Sequence, residues 1–211
     1  MKEIILVVGQ KASGKSVETK KQISNIKDRN TIFFDICLEH EEFEVIHPDN
    51  ALDFLIGNEG YIRRIIPFEN GEKMSLYQIQ KMIEKLLDKV NNGILVLENI
   101  RYYQSPKILE LIRKGNGYEK GHLSVICHFT YIGSIPNNLL KKADVLRLHK
   151  CIDNIDRYKS KIENFEILKI ATLIVKNKTQ YDKYFNCSLN GWCTIEGDFD
   201  KSDYTNACID S

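Results

Sequence analysis

The chain lacks most of the marks that would place it in an unusual environment. Its six cysteines, Cys37, Cys127, Cys151, Cys187, Cys193 and Cys208, are scattered through 211 residues and form no C-x-x-C pair. That spacing indicates neither a zinc site nor a disulfide framework, and Cys187 and Cys193, the one close pair, are read as thiols. Long hydrophobic runs are missing too. The first, Ile4–Val8, has five residues, far short of a signal-peptide core or a membrane span, which predicts a cytoplasmic protein with no integral membrane segment. Net charge is nearly absent, at +1, so nothing pulls the whole molecule toward nucleic acid or a membrane surface, and any such contact must be local. No internal repeat or low-complexity tract occurs. What remains is ordinary globular usage, 43% hydrophobic and 28% charged, in a length suited to one domain with an appendage.

The most informative stretch follows the first apolar run: Gly9, Gln10, Lys11, Ala12, Ser13, Gly14, Lys15, Ser16 and Val17. The first eight match G-x-x-x-x-G-K-[ST], a complete Walker A loop. Glycines let the backbone curl so that successive N–H groups converge on phosphate oxygens at the positive end of the next helix. Lys15 then reaches the β- and γ-phosphates, and Ser16 ligates Mg²⁺. A strand-like run before the loop and a helical segment after it, with Val17, Ile23 and Ile26 expected on its inner face, supply the context that gives the motif meaning. Binding of a nucleoside triphosphate is therefore the first functional expectation.

Further along, Thr31–Ile36 reads as a short buried strand ending near an acid, which makes a βαβ start and hence a parallel sheet. Pro48-Asp49-Asn50 marks a turn and 51–56 a short helix. Tyr61–Phe68 reads as a strand whose two arginines, Arg63 and Arg64, suit a solvated edge. Ser75-Leu76-Tyr77-Gln78 has the form of a capping box, and Leu76, Ile79, Ile83, Leu86 and Val90, flanked by Met82 and Leu87, fall on one helical face that Asn91-Asn92-Gly93 ends. Ser105 and Pro106 start another helix, with Ile108, Leu109, Leu111 and Ile112 as its buried side and Arg113 and Lys114 in its last turn, where a cation answers the helix dipole. Leu123–Phe129 is the next strand, with His128 read as a packed residue rather than a ligand. Pro136 opens a short helix, and Ala143–Leu148 is a last core strand. Helix in two pieces is expected from Asn154 to Lys176, then a small hairpin around Asn190-Gly191. The segment Glu196–Ser211 carries five acids and one lysine. Residues 1–180 are expected to form the core and 181–211 a hairpin with an acidic tail.

Ile94-Leu95-Val96-Leu97-Glu98-Asn99 is the second informative stretch, an apolar strand delivering a carboxylate at its C-terminal end, where ligands of open α/β sheets bind. It reads as a Walker B element. Such strand ends commonly supply two acids, one for the Mg²⁺-bound water and one to polarise the attacking water. Here Glu98 is followed by Asn99, so Glu98 serves one role or combines both.

In the order of its parts the chain resembles the HerA/FtsK superfamily of P-loop motors, and within it the genome-packaging ATPases of tailless icosahedral membrane-containing viruses. The likeness rests on Gly9–Ser16; on Ile94–Asn99 followed by Arg101-Tyr102-Tyr103; on Leu111-Ile112-Arg113-Lys114-Gly115; and on His128-Phe129-Thr130, Ile135-Pro136 and Ala143-Asp144-Val145-Leu146-Arg147. It implies a RecA/ASCE-like α/β three-layer sandwich with a mainly parallel central sheet and a small C-terminal extension. By position it makes Glu98 the Walker B acid, with Lys15 a catalytic cation, Arg113 an intersubunit arginine finger and Thr130 the sensor, although that sensor is often glutamine and the arginine is often flanked differently. It further implies ATP with Mg²⁺, held by Ser16 and Glu98. Its implied partners are double-stranded DNA, capsid or packaging-vertex proteins, and further copies of the chain in a pentameric or hexameric ring, in the cytoplasm of a bacterial host or at the virion packaging vertex. Two other readings stay open: an ATP-dependent assembly or secretion protein of filamentous-phage or conjugation type, and a small nucleotide kinase, for which no arginine-rich lid is evident.

Overall fold

The computed structural model describes residues 3–69, 71–90, 92–115, 123–151, 153–162, 165–177, 185–188 and 195–197. Its strands are β1 (Ile4–Val8), β2 (Thr31–Phe34), β3 (Ile62–Ile65), β4 (Phe68–Glu69), β5 (Glu72–Lys73), β6 (Ile94–Leu97), β7 (Ser124–Phe129), β8 (Val145–Leu148), β9 (Phe185–Ser188) and β10 (Ile195–Gly197). The helices are α1 (Lys15–Ser24), α2 (Ala51–Ile56), α3 (Leu76–Lys89), α4 (Pro106–Gly115), α5 (Asn137–Leu140) and α6 (Phe165–Asn177). The main sheet has the order β3-β2-β6-β7-β1-β8-β9-β10. Pairs β3·β2, β2·β6, β6·β7 and β1·β8 are parallel, while β8·β9 and β9·β10 are antiparallel. This is the expected α/β architecture with a mainly parallel sheet.

Two compact units make up the chain, and the division runs through β1, α1 and β7 themselves. The first joins Met1–Ile4 to Lys21–Cys127. In it β2 and β6 are buried at every position, the pattern of parallel strands covered on both faces. Helix α3 begins with the capping box read from the sequence: Gln78 N–H donates to the Ser75 hydroxyl, and the Gln78 side chain accepts from the Ser75 N–H at 2.8 Å. Ile79, Met82, Ile83, Leu86 and Leu87 are its buried stripe. Gly93 then turns the chain into β6 at φ +93°, and a Cβ there would lie 2.8 Å from the Leu55 side chain and 2.9 Å from the Asn30 carbonyl. Asn30 is a buried junction. Its amide donates to the Phe54 carbonyl and to Glu59, and its side-chain oxygen accepts the Tyr61 N–H, tying α2 and the approach to β3 to the start of β2.

The second unit joins Ile5–Lys20 to His128–Ser211. Strand β1 pairs with β8 from Ile5↔Val145 to Val8↔Leu148, and α6 packs on β8 and β9. The helical segment after Asn154 starts as 3-10 helix over Ile155–Lys161 before α6. Strands β9 and β10 pair antiparallel; the Asn190-Gly191 turn of the expected hairpin and Cys193 fall outside the described residues. Among the described residues Cys37, Cys127 and Cys151 are thiols, and no helix is long and apolar enough to cross a membrane.

Several local readings are corrected. Val17 is 64% exposed and points away from the core, and α1 instead buries Glu18, Thr19 and Ile23. Leu76 is likewise outside, at 53% exposure, because the first residue of α3 precedes the turn that meets the core. Leu109 is only half-buried. The strand expected over Tyr61–Phe68 is four residues long, and Phe68 starts a separate hairpin with β5. It is an edge strand as expected, yet its arginines are not simply solvated: Arg64 pairs with the buried Asp35 at 3.0 Å and Arg63 pairs with Glu44.

Candidate nucleotide site

The phosphate-binding motif lies entirely in the second unit, where β1 ends and α1 begins. The loop leaves β1 with its backbone pinned on two sides: Gly9 N–H donates to the Phe129 carbonyl at 3.2 Å and Gln10 N–H to the Lys150 carbonyl at 2.9 Å. Ala12 and Gly14 take left-handed conformations, φ +60° and +86°, which curl the loop so that its N–H groups turn inward before α1 starts. Lys15 reaches back across the loop, its ammonium donating to the carbonyls of Gly9 at 2.7 Å and Gln10 at 2.9 Å. Gly9 has no room for a side chain, since a Cβ would meet Ser13 Oγ at 2.4 Å and His149 Cβ at 2.7 Å. Curled backbone, arched lysine and a hydroxyl from Ser16 in the first turn of α1 are a donor set that fits a triphosphate with Mg²⁺.

Two histidines hold this loop and helix, and neither role was evident from the sequence. His149, fully buried just after β8, has Nδ1 3.0 Å from the Ser13 carbonyl. A carbonyl only accepts, so Nδ1 carries the proton and donates. Burial, with Arg147, His128 and Lys15 nearby, lowers the imidazole pKa to about 3, so the ring is neutral. His128, read as a packed strand residue, is one: it is 2% exposed with Nε2 3.0 Å from the Thr19 hydroxyl. Thr130 is half-buried and directly follows Phe129, whose carbonyl anchors Gly9; the expected sensor thus sits at the strand end that pins the loop.

Glu98 lies in the first unit, immediately after β6, and is 3% exposed. Its carbonyl accepts the buried Tyr103 hydroxyl at 2.8 Å, and burial drives that phenol's pKa well up, so it stays a donor. Asn99 follows in a left-handed conformation, φ +50°, and donates to Cys37 Sγ at 3.3 Å. Glu98 Oε2 is 2.7 Å from Nε2 of His40. Asp35, the residue after β2, is fully buried next to them, and the three side chains place ligand-type atoms within 4.8 Å of one another. Register explains the meeting: Phe34 pairs with Leu97, so parallel strands deliver Asp35 and Glu98 side by side at their C-terminal ends. The sequence showed an acid near the end of β2 but gave no sign of this juxtaposition. Arg113, the residue matched to an arginine finger, is exposed in the last turn of α4.

No family model matches the chain, and no curated protein does. Solved structures do. The genome packaging NTPase B204 from Sulfolobus turreted icosahedral virus 2, in complex with AMP, superposes with a TM-score of 0.68 at 18% identity over 94% of this chain and 97% of that one. B204 of Sulfolobus turreted icosahedral virus, described as a DNA-packaging ATPase, gives 0.62 at 15% identity over 93% and 97%. The N-terminal domain of zonular occludens toxin from Neisseria meningitidis gives 0.50 at 13% identity over 97% and 98%. Over 94% of its length, the chain has the fold seen in the genome-packaging NTPase B204.

Proposed function

We propose that this chain is an ATP hydrolase that drives double-stranded DNA into a preformed capsid. The observation that carries the nucleotide part is the Gly9–Ser16 loop, curled by Ala12 and Gly14 with Lys15 arched over its carbonyls at the β1-to-α1 junction. Likeness to the B204 structures over nearly the whole of both chains supports the packaging part.

In this reading the N–H groups of Gly9–Ser16 and the Lys15 ammonium grip the β- and γ-phosphates, with Val17 beside the nucleotide. Ser16 and Glu98 are the side chains that would hold Mg²⁺, which supplies charge neutralisation on the phosphate oxygens when bound. Glu98 orients the attacking water and takes its proton, a role that a buried carboxylate at a strand end suits because its charge is little screened. Thr130 senses the terminal phosphate from the strand end that anchors Gly9. Arg113, exposed on α4, is offered to the nucleotide of a neighbouring copy in a homo-oligomeric ring, where such an arginine accelerates phosphoryl transfer by about 10³ to 10⁵. DNA phosphates and the capsid vertex are the partners outside the ring.

The test is ATP hydrolysis with and without double-stranded DNA, read beside nucleotide affinity in the wild type and in Arg113→Ala. DNA-stimulated turnover that Arg113→Ala abolishes with affinity intact supports a motor ring. Turnover indifferent to DNA, or transfer of phosphate to a nucleoside monophosphate, contradicts it.

A further inference from the structure

The Walker B strand offers one acid where two are common, Glu98 followed by Asn99. What surrounds Glu98 in its own unit supplies a function for residues that no motif contains. We infer that His40 is the positioning residue for Glu98, fixing its carboxylate by a hydrogen bond, and that Asp35 and Arg64 form the mount that holds His40 in place. The inference rests on the hydrolase reading, in which Glu98 meets the attacking water.

The geometry runs outward from Glu98. Its Oε2 is 2.7 Å from His40 Nε2, with His40 1% exposed. One proton fits between two such atoms. With Glu98 acting as a carboxylate it belongs to Nε2, and the imidazole donates. The ring is locked by packing as well: its centroid lies 4.8 Å from that of Phe33 on β2 and 6.2 Å from that of Phe43. One carboxylate oxygen is thereby committed to a rigid donor, which restricts the rotation of the carboxylate. Such restraint raises the rate by limiting the carboxylate to productive orientations, and it does so without His40 touching substrate.

Asp35 explains why His40 is there at all. Leu38 takes a left-handed conformation, φ +58°, turning the chain after β2 so that the N–H groups of Glu39 and His40 point back to the Asp35 carboxylate. They donate at 2.9 and 3.0 Å, and Arg64 Nη1 on the edge strand β3 donates at 3.0 Å. With two backbone donors and a guanidinium on it, the fully buried Asp35 carboxylate clamps the turn carrying His40 to the end of β2. Those same three donors decide against reading Asp35, His40 and Glu98 as a separate cation site. They occupy most of the lone pairs that Asp35 would need for a metal, and Arg64 brings a positive charge to the place a cation would take.

The experiment compares wild type, His40→Leu, His40→Gln and Glu98→Gln in full-length protein, measuring kcat and KM for ATP and the thermal midpoint. His40→Leu keeps bulk but removes the donor, and kcat is expected to fall by about 10- to 100-fold, the range for losing one hydrogen bond to a charged group, with KM little changed. His40→Gln, which retains an N–H donor, should recover much of the loss, a pattern that general destabilisation would not produce. Should His40→Leu fail to fold, histidine ¹⁵N NMR of the wild type provides the second reading: a proton on Nε2 whose resonance moves in Glu98→Gln is expected, and a proton on Nδ1 alone overturns the inference. Unchanged kcat in folded His40→Leu also overturns it, provided Glu98→Gln is inactive. If Glu98→Gln is itself fully active, the hydrolase reading is what has failed.

Discussion

At Gly9 a single missing methyl group decides the shape of the phosphate loop. Gly9→Ala places a Cβ into Ser13 Oγ and His149 Cβ, and the overpacking is expected to destabilise the protein by about 1–3 kcal/mol and to weaken ATP binding. Denaturant unfolding and calorimetric titration with ATP measure the two effects, and an alanine variant with wild-type ATP affinity would show that the loop does not depend on this close packing. His149 makes a pH prediction. Its folded-state pKa is lowered to about 3 by burial, against about 6.5 in an unfolded chain. The unfolded state therefore binds the extra proton between these values, so the contribution of His149 is complete above about pH 6.5 and is lost as pH falls toward 3. Urea unfolding at pH 7, 6 and 5 should show wild type losing stability more steeply than His149→Gln, by up to about 1.4 kcal/mol per pH unit. Equal slopes contradict a buried neutral imidazole.

Elements were legible where their causes are local. The capping box of α3 was visible in Ser75 and Gln78, and the limits of β1 and α2 followed from an apolar run and a Pro-Asp-Asn turn. Ser75→Ala is accordingly expected to lower stability by about 1 kcal/mol and to leave ATP turnover unchanged, since Ser75 is exposed and serves only the helix start. Asn30 belongs to the other class. Its three part-buried hydrogen bonds reach Phe54, Glu59 and Tyr61, so Asn30→Ala should remove about 2–3 kcal/mol by breaking all three at once, with loss below 0.5 kcal/mol contradicting that account. Nothing in a period or a motif announces such a junction. The same holds around Glu98: the walk from Glu98 to His40 spans 58 positions, and from Asp35 to Arg64 29. These pairs arise from strand register, which a single sequence does not display. Val17 and Leu76 misled for a related reason, because the helical periodicity that placed them inward takes no account of which turn reaches the core.

Across the whole chain, the curled Gly9–Ser16 loop between β1 and α1 was legible because its glycines and lysine stand at fixed spacing, and the superposition on the B204 structures extends over 94% of the chain at 18% identity. At that level of identity the fold is retained while most side chains differ, so Lys15, Ser16 and Glu98 themselves carry the proposed activity. The proposed activity turns on Glu98 driving hydrolysis of a triphosphate that Gly9–Ser16 would hold. Its most direct measurement is ATP turnover with Mg²⁺ and double-stranded DNA in wild type and Glu98→Gln, beside ATP affinity in both. Turnover reduced by about 10²-fold or more in the variant with affinity retained is the predicted result, and a Glu98→Gln protein that hydrolyses ATP at the wild-type rate would contradict it.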